Sequence, residues 1–316
     1  MDNQAIKYEI IENIGIIKGA NPPVNALSYE VRKGLIDTLQ LFLKDSNING
    51  IILCGEGRTF FAGADISEFG KPMQSPNLND VIFEFERSNK PILAALHGTP
   101  LGGGLELAMG CNYRVALSTT KLGLPEVKLG IIPGAGGTQR LPRLAGIEKA
   151  LSMITSGIPI NADDALNSGV IEEVFEDNLI ENAMNFIKSK LSLDDHPIVS
   201  KLSEKISNVQ NEVFENFSNK LEKKYRGRKS PLCAIEAVKA TTNLSFTEGL
   251  EKERELFKLC HDSKESSSLI HMFFSERKAL KIPDIPKDTK ILSINSAAVI
   301  GCGTMGGGIA MNFANV

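Results

Sequence analysis

The chain has 316 residues, 42% apolar and 23% charged, with a formal net charge of −3 and no tryptophan. That length exceeds one ordinary domain, the composition is globular, and the slight acidity argues against a general nucleic-acid binder, which needs a basic face. Five cysteines without a CxxC pair and four histidines without HExxH spacing give no disulfide framework and no zinc motif, so metal chemistry is not expected. The opening residues, Met1-Asp-Asn-Gln-Ala-Ile6, have neither the basic region nor the apolar core of a secretory leader, and no stretch is apolar enough for a membrane span.

Residues 6–18 cluster β-formers around Gly15 and predict a hairpin, followed by a turn at Asn21-Pro22-Pro23. Ser28 is a candidate N-cap for a helix through Leu43 with Val31, Leu35, Leu39 and Phe42 on one face. Residues 50–54 read as a short apolar strand, 60–65 as a small-residue loop, and 71–80 as an exposed polar loop before a helix over 81–88. Residues 91–96 form a second buried strand running into Gly102-Gly103-Gly104; a helix over 105–110 and a strand over 113–117 follow. Asp163 to Gly169 with Val170-Ile171 reads as helix, glycine stop, strand. From about 178 to 282 helical signals dominate, broken at Pro197, at Arg226–Pro231 and near Thr247–Gly249, and residues 281–286 are a proline-punctuated linker. The repeated strand, turn, helix order predicts an α/β class, with a domain boundary near residue 190 and a helical layer beyond it.

Glu106 closes the run Pro100-Leu-Gly-Gly-Gly-Leu-Glu106, and Glu126 ends Gly123-Leu-Pro-Glu126. Gly103 lies at a strand-to-helix junction, where first-turn N–H groups have no helical acceptor. Ala64, in Phe61-Ala-Gly-Ala-Asp65, is placed to offer a second N–H. Two carboxylates beside two exposed N–H groups suit proton transfer next to a carbonyl whose oxygen gathers charge. Plainer readings stand beside this one. The glycines would also serve tight packing, a helical glutamate is ordinarily solvated, Pro125-Glu126 would fit a first helical turn, and Asp65 would fit an N-cap.

Three runs carry a resemblance: Phe61-Ala-Gly-Ala-Asp-Ile66; His97-Gly with Leu-Gly-Gly-Gly-Leu-Glu106-Leu-Ala; and Leu124-Pro-Glu-Val-Lys-Leu-Gly-Ile-Ile-Pro-Gly-Ala-Gly-Gly-Thr-Gln-Arg-Leu141. In order and spacing they resemble the enoyl-CoA hydratase/isomerase (crotonase) family over residues 1 to about 190. The resemblance implies a crotonase-like α/β fold of repeated ββα units forming a spiral. It implies that Ala64 and Gly103 hold an acyl-CoA thioester oxygen and that Ala26, Leu27, Ala62, Asp65 and Ile66 contact the substrate. Glu106 and Glu126 then match the hydratase carboxylate pair. Glu106 is the better candidate for activating water, and Glu126, flanked by Leu124 and Val127, for donating the proton. Hydration of trans-2-enoyl-CoA in fatty-acid β-oxidation is the expected activity, without a resident cofactor. Isomerisation of a 3-enoyl to a 2-enoyl thioester, needing Glu126 alone, is a side activity. Thr99-Pro100 departs from the small residues more usual there, which bears on the acyl pocket rather than on Gly103.

A second motif closes the chain. Ala297-Ala-Val-Ile-Gly301-Cys-Gly303-Thr-Met-Gly306 reads as a strand, GxGxxG and a helix start, and resembles the opening of a 3-hydroxyacyl-CoA dehydrogenase NAD-binding domain. Gly301, Gly303 and Gly306 then form an incomplete NAD site, expected not to function here. Residues 230–281 resemble the linker helices of multifunctional fatty-acid oxidation enzymes, making Lys278 a candidate pyrophosphate contact, with a solvated lysine as the alternative. The expected organisation is a hydratase domain over 1–190, a helical linker region over 191–290, and a truncated Rossmann βα start over 291–316, with NAD belonging to a full-length parent. The expected partner is a small acyl-CoA, not nucleic acid. The expected state is a monomer or a trimer-type homo-oligomer, in the cytoplasm or, alternatively, the peroxisome. The rival readings are an enoyl-CoA isomerase or another crotonase reaction, a non-catalytic acyl-CoA-binding scaffold, and a nicotinamide-dependent oxidoreductase.

Overall fold

The computed structural model of the chain describes residues 5–68, 72, 74–225, 227–279, 282, 285–286, 289–290 and 292–315. It divides into two compact units, Met1–Phe273 and Phe274–Val316. In the first unit the elements run β1 (Ile6–Ile11), β2 (Ile14–Gly19), α1 (Tyr29–Lys44), β3 (Gly50–Gly55), α2 (Leu78–Glu86), β4 (Ile92–Leu96), α3 (Gly103–Met109), β5 (Tyr113–Leu117) and β6 (Lys121–Leu122). Next come α4 (Gly137–Ala145), α5 (Ile147–Ser156), β7 (Ile160–Asn161), α6 (Ala162–Ser168), β8 (Glu173–Phe175) and α7 (Leu179–Lys190). The helices α8 (Asn211–Lys224), α9 (Ser230–Asn243) and α10 (Phe246–His261) follow; the division falls within α11 (Lys264–Ala279), and α12 (Thr304–Ala314) lies in the second unit.

The main sheet has the order β1-β2-β3-β4-β5-β8, antiparallel at β1–β2 and parallel elsewhere. Its inner strands β2, β3, β4 and β5 are buried on both faces, as a sheet covered on both sides requires. Ile17, Ile51, Leu53 and Ala94 face Leu35, Leu39 and Phe42 of α1, whereas Ile16, Ile52, Leu93 and Val115 face Ala183, Met184 and Ile187 of α7. The alternation pins the register, because a slip of one residue would exchange the two sets. β6 and β7 form a separate antiparallel pair.

Several local expectations change in detail. The hairpin turns at Glu12-Asn13, with Glu12 at φ 54°, while Gly15 lies inside β2 opposite Ile10. A Cβ on Gly15 would sit 2.5 Å from the Phe42 ring, so this glycine makes room for α1 rather than for a turn. α1 begins where Ser28 predicts, but the Ser28 hydroxyl makes no capping bond; Glu68 Oε1 accepts the Tyr29 N–H at 2.8 Å instead. α2 starts three residues before the expected 81, because Asn77 and Asp80 form a reciprocal capping box inside the polar stretch. After Gly169 (φ 81°), Val170 and Ile171 are buried but unpaired as strand, and the strand proper is Glu173–Phe175 beside β5.

Residue 190 is not where the compact units divide. α9 packs on α4 and α5, and α10 on α9 and α4, so the helices from 211 to 261 belong to the same unit as the sheet. In the second unit α12 forms after Gly303, but residues 297–300 make no strand, and the Ile300 side chain is fully exposed. The linker residues Lys281, Pro283 and Asp284 lie outside the described residues.

These caps predict a contrast. Asn77→Ala should lower the unfolding free energy by about 1 kcal/mol, while Ser28→Ala should change it by less than about 0.5 kcal/mol, both read from urea unfolding.

Candidate active site

The site is built where two loops are pressed together closely enough to forbid side chains. A Cβ on Gly104 would lie 1.8 Å from the Phe61 carbonyl oxygen, and one on Gly63 would lie 3.0 Å from the Leu101 oxygen. The loop Phe61–Asp65 therefore lies directly against the start of α3, with the Ala64 nitrogen 3.2 Å from where a Gly103 Cβ would be. Leu27 bridges Ala64 in parallel fashion and donates its N–H to Gly63 O at 2.9 Å. On the other side Leu101 bridges Gly123, and Gly102 N–H donates to Gly123 O at 2.9 Å, which ties the entrance of α3 to the segment leading to Glu126. Gly102 and Gly104 spend their N–H groups on Gly123 O and Leu101 O, whereas Gly103, between them, is the first helical residue and has no acceptor inside α3.

Glu106 follows one turn later and is 3% exposed. Its Oε1 accepts the N–H groups of Ala135 and Gly137, each at 2.8 Å. Burial raises its pKa above the ordinary carboxylate value, opposed by those two N–H groups and by the Arg140 guanidinium. Glu126 opens a single 3₁₀ turn, Glu126–Leu129, and its Oε1 lies 2.9 Å from the Cβ position of Gly102, itself held at φ 53°. The Glu126 stem is part-exposed, yet Oε2 is buried and has no hydrogen-bond partner among the described residues. Burial, then repulsion from Glu106, pushes this carboxyl well above the usual range. The two carboxylates thus differ in kind. Glu106 is held by fixed donors, and Glu126 Oε2 is bare.

A third carboxylate, Glu253 of α10, is 1% exposed and was not anticipated from the motifs. Its Oε1 accepts Gly136 N–H at 2.7 Å and its Oε2 accepts Thr138 N–H at 2.9 Å together with the Thr138 hydroxyl. Burial and then repulsion from Glu106 push it up to about 8. Its signal in the sequence is positional: Leu250, Glu253, Leu256 and Cys260 are the inward positions of α10, so one glutamate of the charged run 251–255 occupies an apolar stripe. Arg140, 1% exposed, pairs with Glu86 Oε2 at 2.9 Å and donates to Ala135 O at 3.1 Å, and its charge favours the ionised form of Glu106. A surface cavity of about 550 Å³ lined by Arg143, Lys201, Thr241 and Phe246, among others, includes none of the three carboxylates.

Of the remaining sequence candidates, Leu27 is fully buried with Cδ1 3.5 Å from the Gly103 Cβ position, and Ala62 donates its N–H to Val24 O at 3.1 Å. The Ala26 carbonyl accepts from Asn21 Nδ2 at 3.0 Å, Asp65 Oδ1 takes the Ser67 N–H at 2.9 Å in a cap-like turn, and Ile66 begins the 3₁₀ turn Ile66–Glu68. Of these, the structure sets Leu27 against both Ala64 and Gly103. Lys278 is exposed in the last turn of α11 and falls in the second unit. For the dinucleotide fingerprint, a Cβ on Gly306 would meet Gly301 O at 1.9 Å, and Gly301 has φ 105°, as a tight glycine turn requires. With no strand over 297–300, however, the described residues do not make the strand-edge crevice in which a dinucleotide sits, and they do not fit NAD.

Comparison with known proteins follows the same lines. The family model for enoyl-CoA hydratase/isomerase matches residues 9–227. The chain is 40% identical over 319 residues to a peroxisomal bifunctional enzyme of Danio rerio, covering 98% of this chain and 44% of that protein. It is 36% identical over 303 residues to the fatty acid oxidation complex subunit alpha of Shewanella amazonensis, covering 91% of this chain and 43% of the relative. The chain thus spans less than half the length of these relatives. Among solved structures it is similar to an enoyl-CoA hydratase from Bacillus anthracis, with 26% identity, a TM-score of 0.56, and coverage of 86% of this chain and 97% of the other.

Three buried carboxyls with raised pKa values have a consequence for stability. Between the ordinary value of 4.5 and about 8, Glu253 holds its proton in the folded chain but not in the unfolded one. Its contribution is therefore full below 4.5 and is lost as pH rises through about 8. The unfolding free energy should be larger near about pH 5 than near about pH 8, and Glu253→Gln should flatten that fall, as read from urea titrations.

Proposed function

The chain belongs to the enoyl-CoA hydratase/isomerase family, and from that premise we propose that it adds water across the double bond of a trans-2-enoyl-CoA to give a 3-hydroxyacyl-CoA in fatty-acid β-oxidation. The observation that carries this reading is the unlike pair of buried carboxyls, Glu106 gripped by two N–H groups and Glu126 with a bare Oε2. In a hydration both are needed. Glu106 takes a proton from water as its oxygen bonds to C3, the π electrons of the C2–C3 bond move toward the thioester, and Glu126 gives its proton to C2. The charge that collects on the thioester oxygen is met by the Ala64 and Gly103 N–H groups, each worth about 3–4 kcal/mol in a water-excluded site. Proton exchange then returns Glu106 and Glu126 to their starting states.

Ala26, Leu27, Ala62, Asp65 and Ile66 frame the acyl-CoA in this reading, and Lys278 is assigned to the pyrophosphate on its sequence context. No resident cofactor is required for the reaction. A second reading, isomerisation of a 3-enoyl to a 2-enoyl thioester, is favoured by the same unpartnered Glu126 Oε2, which suffices to move a proton between C4 and C2. Dehydrogenation with NAD is proposed only for a longer parent protein. The bifunctional relatives named as peroxisomal, such as that of Homo sapiens at 37% identity, support the peroxisome over the cytoplasm. A monomer or trimer-type assembly is proposed. No described helix is long and apolar enough to cross a membrane.

With crotonyl-CoA, loss of the conjugated thioester absorbance should fall by roughly 10²- to 10⁴-fold in both Glu106→Gln and Glu126→Gln. Isomerisation of a 3-enoyl-CoA should survive Glu106→Gln and be lost in Glu126→Gln. A wild-type chain that leaves crotonyl-CoA untouched would sink the hydratase reading.

A further inference from the structure

Residues 135–138 present four consecutive backbone N–H groups, and two carboxyls divide them alternately. Glu106, from α3, takes Ala135 and Gly137 on one oxygen; Glu253, from α10, takes Gly136 on Oε1 and Thr138 on Oε2. The grip of Glu253 is itself braced. Gln139 Nε2 donates to Thr138 Oγ1 at 3.0 Å and to Ala237 O of α9 at 2.8 Å, leaving the Thr138 hydroxyl hydrogen for Glu253. Leu250 and Leu256 flank Glu253 on the inward stripe of α10, and the residue lies outside the span 9–227 that the family model matches. A carboxyl this deep is costly unless its lone pairs are matched, and the donors identified for it come from this one loop.

We propose that Glu253 is a positioning residue: by holding Gly136 and Thr138 from the α10 side, it turns the Ala135 and Gly137 N–H groups onto Glu106 and so fixes the orientation and ease of ionisation of that carboxyl. The proposal rests on the reading of Glu106 as the group that activates water. Because the donors alternate along one short segment, a twist that frees the Glu253 side misaligns the Glu106 side as well. α10, beyond the matched span, is then a working part of the site.

The charged groups facing this segment are Glu106 from α3, Glu126 from the 3₁₀ turn, and Arg140 from α4, which is paired with Glu86. Glu253, pushed up to about 8 by burial and by Glu106, holds its proton below that pH. A protonated carboxyl still offers an oxygen to each of the two N–H groups, whereas a glutamine amide offers one oxygen and turns an NH₂ toward the other. Glu253→Gln therefore loosens the segment without removing a charge that Glu106 feels. The Ala135 and Gly137 N–H groups hold the Glu106 pKa down, so weakening them raises it.

The test uses the full chain as wild type, Glu253→Gln and Thr138→Val, the last removing only the hydroxyl that braces Glu253. Two quantities are measured across pH: kcat and KM for crotonyl-CoA, and the titration of the Glu106 carboxyl carbon in ¹³C-glutamate-labelled protein, assigned by its loss in Glu106→Gln. In Glu253→Gln, kcat should fall by about 100-fold with KM nearly unchanged. The acid limb of kcat and the Glu106 midpoint should both move to higher pH, and Thr138→Val should shift them the same way by less. An unmoved Glu106 midpoint in both variants overturns the proposal, even if they melt at lower temperature. If the wild type does not hydrate crotonyl-CoA, the hydratase reading fails, while the carbon titration still decides the role of Glu253.

Discussion

Everything at the candidate site hangs on the Phe61 carbonyl meeting the backbone of Gly104 at a distance no side chain survives. That approach seats the Phe61–Asp65 loop on α3, and with it Ala64 beside Gly103 and Glu106 one turn away. The sheet supplies the stiffness. β3 and β4 are buried on both faces, and both loops leave from their carboxyl ends, so the loops inherit positions fixed by a packed layer rather than by their own flexible chain. Gly102 sits at φ 53° with the Glu126 carboxyl against it, Gly103 brings the Ala64 nitrogen near, and Gly104 admits Phe61. Three successive glycines thus answer three different neighbours. The packing and functional readings of this run are one arrangement seen from two sides.

Environment separates carboxyls of the same chemical type. Glu106, Glu126 and Glu253 are all carried into the interior, and burial raises all three. What distinguishes them is their donors: two N–H groups on one oxygen of Glu106, two N–H groups and a hydroxyl spread over both oxygens of Glu253, and a bare Oε2 on Glu126. Arg140, with Glu86 and the Phe246 ring 5.0 Å from its guanidinium carbon, is the nearby cation that helps such a cluster fold.

Much of this is legible in the chain, for identifiable reasons. Gly103, Glu106 and Glu126 stand in short runs whose glycines and prolines constrain the backbone locally, so their neighbourhood follows from nearby residues. The strands around 50–55 and 92–96 announce themselves by unbroken apolar content. What escapes is decided at a distance. Asn77 caps a helix from within a stretch that looks like polar loop, and the true strand falls at Glu173–Phe175 because only there does β5 offer a partner. Residues 297–300 have strand composition but pair with no strand among the described residues. Glu253 is masked by the charged residues around it, and only the stripe of Leu250, Leu256 and Cys260 marks it as inward.

The glycines after Glu126 have a last consequence. A Cβ on Gly130 would meet the Ser266 backbone at 2.9 Å, and one on Gly134 would meet the Phe257 ring at 2.8 Å, while Glu253 closes on the N–H groups of Gly136 and Thr138. The glycine-rich run from 130 to 137 is thus a seat for α10 and the first turn of α11 as much as a wall of the candidate site. Exchange of the Gly136 and Thr138 amide hydrogens with solvent is then gated by lifting of α10 from that seat, so their protection would report how tightly α10 is docked even with no substrate present.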